Sequence, residues 1–347
     1  MSPEKEVSSL SSFSSSSSSS SFGGSIREDR PSSKELLRKE LDDNVLYAEY
    51  ELLLNNKDLW ALMLVEFSPE LAERTQQVTV EERVQVQVVS KDERRIREGI
   101  AGVLGKAPSQ LADPDYKNVT ELNLFGAPIE NIESLAKLKN LQELDLHLTK
   151  VKDLRVLAGL SNLQTLNLRR SPVEDISPLA SLTNLRTLHL SGTKIKELAA
   201  LATLTNLEDL KLWETSISKL EPLEGLPSLQ TLSIARTQVS DIRVLGGLRN
   251  LQELSLSGTK VNDVGALASL TNLQSLALSE TPVSDVGPLA SLTNLRVLDL
   301  SDTQVSDISA LSGLTNLQTL DLRGTRVSDE QVVKLKKALP RLHIIGR

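Results

Sequence analysis

The sequence predicts an α/β solenoid: a right-handed coil with one long parallel sheet on its concave side and short helical or 3-10 segments on its convex side. Two observations carry that prediction. From Asn118 onward the chain repeats every 22 residues, marked by Asn118, Asn140, Asn162, Asn184, Asn206, Asn250, Asn272, Asn294 and Asn316, with Ser228 in the remaining slot. Each of these ten units reads close to N-L-x-x-L-x-L-x-x-T-x-V-x-D-x-x-x-L-x-x-L-T, with no insertion or deletion between them. A third observation is that helix-start signals stand on both sides of the array, as a stacked coil with exposed ends requires.

The physics of one unit explains the coil. In the unit that opens at Asn294, Leu298 and Leu300 lie two apart and share one face of a short strand. Leu295, Val305, Ile308, Leu311 and Leu314 return to the same interior. A single unit cannot bury these side chains alone, whereas stacked units share one continuous core. Strands about 4.8 Å apart make ten units roughly 45 Å long. Period and L-x-x-L-x-L motif together define a leucine-rich-repeat solenoid. The tenth position is Thr149, Thr193, Thr215, Thr237, Thr259, Thr281, Thr303 and Thr325, with Ser171 and Ala127 as exceptions. A hydroxyl recurring at one repeat position predicts a structural ladder at the turn off the strand, not a set of nucleophiles. Asp241, Asp263, Asp285 and Asp307 precede short segments and read as caps on brief helical turns.

Before the repeats the composition changes twice. Residues 1–31 form a tail with an unbroken serine run from Ser14 to Ser21. Such a segment buries too little to offset its ordering entropy and predicts disorder. It reads as a linker or, alternatively, as an export signal. Residues 32–89 read as mostly helical, with Leu36, Leu37, Leu41, Val45 and Leu46 near helical spacing and a second apolar helix around Trp60. The alternating valines of RVQVQVV predict a strand at 83–89. Residues 90–117 hold an N-terminal cap: Ser90-Lys91-Asp92-Glu93 is a capping box, and Gly105 stops the helix after Leu104. The repeats occupy 118–327. Residues 328–347 form a C-terminal cap helix and tail, in which Ser328-Asp329-Glu330-Gln331 predicts a second capping box. Val332, Val333, Leu335 and Leu339 are expected against the last coil, and Pro340 beyond the helix end.

The ten units, with TQVSDISAL at 303–311 and LTNLQTLDL at 314–322, resemble the bacterial internalin-like leucine-rich repeats. The stretch REGIAGVLGKAPSQLADPDYKNVTELNL at 97–124 is similar to the helical cap that precedes such arrays. Motif and length together carry the resemblance, since eukaryotic regulators of a protein phosphatase share the 22-residue length. The resemblance implies a non-enzymatic scaffold that binds another protein.

Candidate contact residues lie where the fold makes no demand. Positions 4, 6 and 8 of each unit point away from the core on the sheet. Position 8 runs Phe125, His147, Arg169, Ser191, Trp213, Ala235, Ser257, Ser279, Ser301, Arg323. Position 9 adds Arg170, Glu214 and Arg236, and position 6 adds His189 and Lys211. Aromatic and arginine side chains dominate protein-binding hot spots because they bury large area or form forked hydrogen bonds. A partner footprint centred on Arg169, Arg170 and Trp213 is therefore expected. The competing reading has Trp213 packing across its neighbours merely to fill the inner face.

Other functions find less support. A net charge of −7 gives no electrostatic case for nucleic acid. No apolar run is long enough to span a membrane, and no cysteine is present. His147 and His189 stand two units apart, roughly 10 Å, which does not suit a shared metal. No phosphate-binding, dinucleotide, serine-hydrolase or zinc-protease motif occurs, so no cofactor is expected. Two alternatives stay open: a translocated bacterial effector with the repeats as its binding module, and an enzyme whose activity lies in 32–90. The start of the sequence shows no secretory signal peptide, which predicts a cytoplasmic protein or one exported by another route.

Overall fold

Each 22-residue unit becomes one three-residue strand, one tight turn and one returning arm. The computed structural model describes residues 90–346. The serine tail, the helices expected around Leu41 and Trp60, and the strand expected at 83–89 lie outside the described residues. All described residues belong to a unit beginning at Gln87.

The strands are β1 (Glu121–Asn123), β2 (Glu143–Asp145), β3 (Thr165–Asn167), β4 (Thr187–His189), β5 (Asp209–Lys211), β6 (Thr231–Ser233), β7 (Glu253–Ser255), β8 (Ser275–Ala277), β9 (Val297–Asp299), β10 (Thr319–Asp321) and β11 (His343–Ile345). They form one parallel sheet in sequence order. The central leucine of each strand stands beside its equivalent, as Leu188 beside Leu210 and Leu276 beside Leu298. The returning arms carry 3-10 turns such as Ser177–Ser181, Gly265–Ser269 and Ser309–Gly313.

The interior is one core running from Ile96 to Ile344. Leu295, Leu298, Leu300, Val305, Ile308, Leu311 and Leu314 are all buried within it, as the repeat pattern predicts. Hydrogen bonds also tie successive units together. The repeat-opening asparagines donate from Nδ2 to a carbonyl 23 residues earlier, as Asn184 to Ser161 at 2.8 Å and Asn294 to Thr271 at 2.8 Å. The tenth-position hydroxyls are buried, apart from half-buried Thr325, and each donates to the leucine or isoleucine carbonyl three residues before it, as Thr193 to Leu190 at 2.6 Å. Asp241, Asp263, Asp285 and Asp307 accept the N–H that starts each 3-10 turn, at 2.8 to 3.0 Å. Both ladders have the structural role read from the sequence.

The N-terminal helix α1 (Lys91–Leu104) is capped by Ser90, which accepts from the Glu93 N–H at 3.0 Å. Gly105, at φ 63°, closes it in the left-handed conformation. Asp92 staples α1 to the first unit by accepting from the Glu130 and Asn131 N–H groups, at 2.9 and 2.8 Å.

The C-terminal end departs from expectation in three ways. Helix α2 (Asp329–Ala338) buries Val332 and Leu335, with Leu339 just beyond it, but Val333 is 67% exposed. One residue is about 100° of helical turn, which carries Val333 off the buried stripe. Ser328 accepts from the Gln331 N–H at 3.4 Å, yet Gln331 does not complete a reciprocal capping box. Its Oε1 instead accepts from the Ile308 N–H at 2.8 Å, docking the helix onto the preceding unit. The tail also forms an eleventh strand, with Leu320 beside Ile344. Leu342 and Ile344 are buried around exposed His343, a period-2 pattern too brief to read as a strand without the sheet it joins.

Candidate functional site

The residues after each strand are held by a second backbone ladder. The position-9 N–H donates to the position-8 carbonyl of the next unit: Gly126 to His147, Leu148 to Arg169, Arg170 to Ser191, Gly192 to Trp213, and Glu214 to Ala235, at 2.8 to 3.0 Å. In the first three units the position-6 side chain also fixes the position-8 backbone. Asn123, Asp145 and Asn167 accept from the N–H groups of Phe125, His147 and Arg169, at 2.8, 2.8 and 3.1 Å. The side chains of His147 and Arg169 therefore rise from backbone bonded at both its N–H and its carbonyl.

Three clusters result. Phe125 and His147 pack ring against ring, with centroids 5.0 Å apart and planes tilted by 53°. Arg169 lays its guanidinium over Trp213, Cζ 4.6 Å from the ring centroid, and Arg170 approaches the same ring at 5.9 Å. That contact spans the intervening unit, whose residues at positions 8 and 9 are small. Ser191 is fully buried there, and Gly192 has no side chain. A Cβ on Gly192 would stand 2.9 Å from Arg170 Cγ, so glycine is what lets Arg170 lie across the unit. The third cluster centres on Asp209. Its Oδ2 lies 3.2 Å from His189 Nε2 and its Oδ1 lies 3.2 Å from Lys211 Nζ. Beside it Glu214 pairs with Arg236 at 3.4 Å.

The structure thus brings Arg169, Arg170 and Trp213 into one stack, Phe125 and His147 into a pair, and His189 and Lys211 around one carboxylate. Asp209 was not among the sequence-derived candidates. Its signal was available: it shares a strand face with Lys211 two residues on, and its neighbour strand presents His189. The role of Ser191 and Gly192 carried no signal, because small residues announce nothing until the long chains crossing them are placed.

Electrostatics separates the clusters. Burial pushes the His147 imidazole below its ordinary value, and the nearby Arg169 and Arg170 charges push the same way against Asp145. Asp209 is raised by burial, but the bonds from His189 and Lys211 more than offset this and hold it below the usual carboxylate range. Lys211 and Arg236 are each answered by a carboxylate. Among the described residues no carboxylate lies within salt-bridge distance of Arg169 or Arg170. Arg169 Nε and His147 Nε2 are buried without a hydrogen-bond partner in the protein.

Position 9 has one further property. It is left-handed in every unit: Gly126, Gly192, Gly258 and Gly324 have φ of 66 to 69°, and Leu148, Arg170, Glu214, Arg236, Glu280 and Asp302 have φ of 54 to 59°. A non-glycine residue pays about 1–2 kcal/mol for this conformation. Arg170, Glu214 and Arg236 carry that cost inside the cluster, while Glu280 and Asp302 carry it outside.

Among the described residues no three His, Asp or Glu side chains are grouped to hold a metal ion, and no helix is long and apolar enough to cross a membrane.

A family model for leucine-rich repeats in pairs matches residues 161–203, 205–247, 249–291 and 293–334. An internalin C2 structure from Listeria monocytogenes is 32% identical, covering 67% of this chain and 94% of its own, with a TM-score of 0.54. The chain belongs to the internalin-like leucine-rich-repeat proteins. An internalin from the same organism, inlF, is 29% identical over 73% of this chain and 74% of its own, with a TM-score of 0.69. A plant peptide hormone receptor, RGFR1 in complex with RGF2, shares the fold alone, at 18% identity and a TM-score of 0.51, covering 66% of this chain and 47% of its own. A search of the curated proteins finds no match. The internalin-like repeats and their structural relatives support a protein-interaction scaffold.

Proposed function

We propose that this internalin-like chain holds a protein partner on the concave face of its first six units, residues 118–249, without performing chemistry on it. The observation that carries the reading is the stack of Arg169 and Arg170 on Trp213, built over Ser191 and Gly192. The fold does not need a large indole at a position that holds serine in units seven to nine. A half-buried tryptophan flanked by arginines supplies apolar area and directed donors together, the composition of an interface hot spot. Phe125 and His147 extend the same row toward the N-terminal end, and His189, Lys211, Glu214 and Arg236 flank it.

Capture of partner proteins on the immobilised full chain, with Trp213→Ala in parallel, tests the reading. The substitution is expected to weaken capture of a shared partner about tenfold or more, equivalent to about 1.4 kcal/mol or more. The melting temperature should stay unchanged. If binding and melting temperature fall together, Trp213 serves packing and the footprint is misplaced.

A further inference from the structure

We infer that the Arg169–Arg170 pair is a receptor for an acidic side chain, Asp or Glu, on an extended segment of the protein partner. This rests on the concave-face reading above and adds the chemistry that the face selects.

Units 3 and 10 of the molecule carry the same arginine in two different settings. Unit 10 places Arg323 at position 8 and Asp321 at position 6. There the carboxylate takes the fork: Arg323 Nε lies 3.0 and 2.9 Å from the two Asp321 oxygens, and Nη2 lies 2.6 Å from Oδ2. Unit 3 repeats the arrangement with one change. Position 8 is Arg169 and position 6 is Asn167. The Asn167 side-chain oxygen performs the backbone part of the task, accepting from the Arg169 N–H at 3.1 Å as Asp321 accepts from the Arg323 N–H at 3.0 Å. An amide carries no charge, so the guanidinium is left without its counter-ion. It turns instead onto Trp213.

Stacking on an indole uses the face of a guanidinium and leaves its edge. The in-plane N–H donors stay available for a carboxylate in forked geometry, the arrangement arginine favours over lysine. Arg169 Nε is buried without a partner in the protein, so the fork is offered by the two terminal Nη groups, which are neither buried nor bonded among the described residues. Arg170 adds a second positive charge over the same ring. Two guanidinium groups with no carboxylate beside them among the described residues point to a partner acid at this place.

The extended form follows from spacing. Phe125, His147, Arg169 and Trp213 occupy position 8 of units 1, 2, 3 and 5, so the row crosses four strand steps, about 19 Å. An extended chain rising about 3.3 Å per residue covers that distance in about six residues.

The test selects dodecapeptides from a random library on the immobilised full-length chain, then compares binders on four variants. Selected peptides are expected to be enriched in Asp or Glu at one position. Arg169→Gln with Arg170→Gln should weaken them about tenfold or more. Asn167→Asp should weaken them comparably, because it supplies the fork from within the unit as Asp321 does in unit 10, while leaving both arginines in place. Arg323→Gln should leave binding unchanged. Melting temperature and circular dichroism confirm that each variant is folded. Binders without acidic enrichment that are lost on Trp213→Ala would overturn this inference and leave the concave-face reading standing. Binders indifferent to every concave-face substitution would overturn both. Acidic binders that survive Asn167→Asp and the double arginine variant would overturn the assignment to Arg169 and Arg170, and so would a library that yields no binder.

Discussion

His147 shows how a single residue reports on its surroundings. Its ring packs on Phe125, and its charge state is set by burial and then by the arginines beside it. In the folded protein the imidazole takes up its proton at lower pH than in the unfolded chain. The unfolded chain therefore binds more protons between the two values, and stability falls as pH drops below about 6.5, levelling once the folded group has titrated. Arg169→Gln removes one opposing charge, so the His147 midpoint is expected to rise while staying depressed by burial. Imidazole proton shifts followed by NMR across the pH range measure this. A midpoint that does not move would mean that burial alone sets the value. At this scale the sequence identified His147, Arg169 and Trp213 as departures from the repeat. It did not reveal which of them touch, because an arginine reaches across two strand steps only when the residue between them is small.

At the scale of the element, each short segment is closed by side chains acting on backbone groups. Thr259 is one rung: its buried hydroxyl donates to the Leu256 carbonyl at 2.6 Å. Thr259→Val keeps the shape and removes the donor, and should cost about 1 kcal/mol in chemical denaturation. No measurable loss would remove the hydroxyl from the structural account. The Asp92 staple on Glu130 and Asn131 belongs to the same class, tying a helix to a unit that has no preceding repeat to stack on. The N-cap serines of both helices were legible in the sequence because they are local, whereas the reciprocal half of each expected capping box is not formed. The partner of Gln331 was not legible, since its choice between its own cap and the Ile308 N–H depends on where α2 lands.

The repeat array behaves as a one-dimensional stack in which each unit contacts its neighbours. Residues 272–293 form one complete unit in the serine-faced stretch, from Asn272 to Thr293. Deleting them joins Thr271 to Asn294 in phase, and the remaining units should fold with lower stability in a single transition. Partner binding should be unchanged, because the proposed footprint lies in units one to six. Loss of binding in a folded deletion variant would extend the footprint into the C-terminal half, which calorimetry and a binding titration together decide.

The sequence by itself determined the coil, the number of full repeats, the buried face and the caps, because a strict period turns local spacing into global stacking. It also marked which outward positions break the repeat. Only the tertiary structure decided the eleventh strand, whose hydrogen-bond partners lie in another unit, and the exposure of Val333, which the docking of α2 sets. It alone placed Arg169 and Arg170 on Trp213 and Asp209 between His189 and Lys211. Those contacts join side chains on different strands, and their geometry depends on the space that Ser191 and Gly192 leave open.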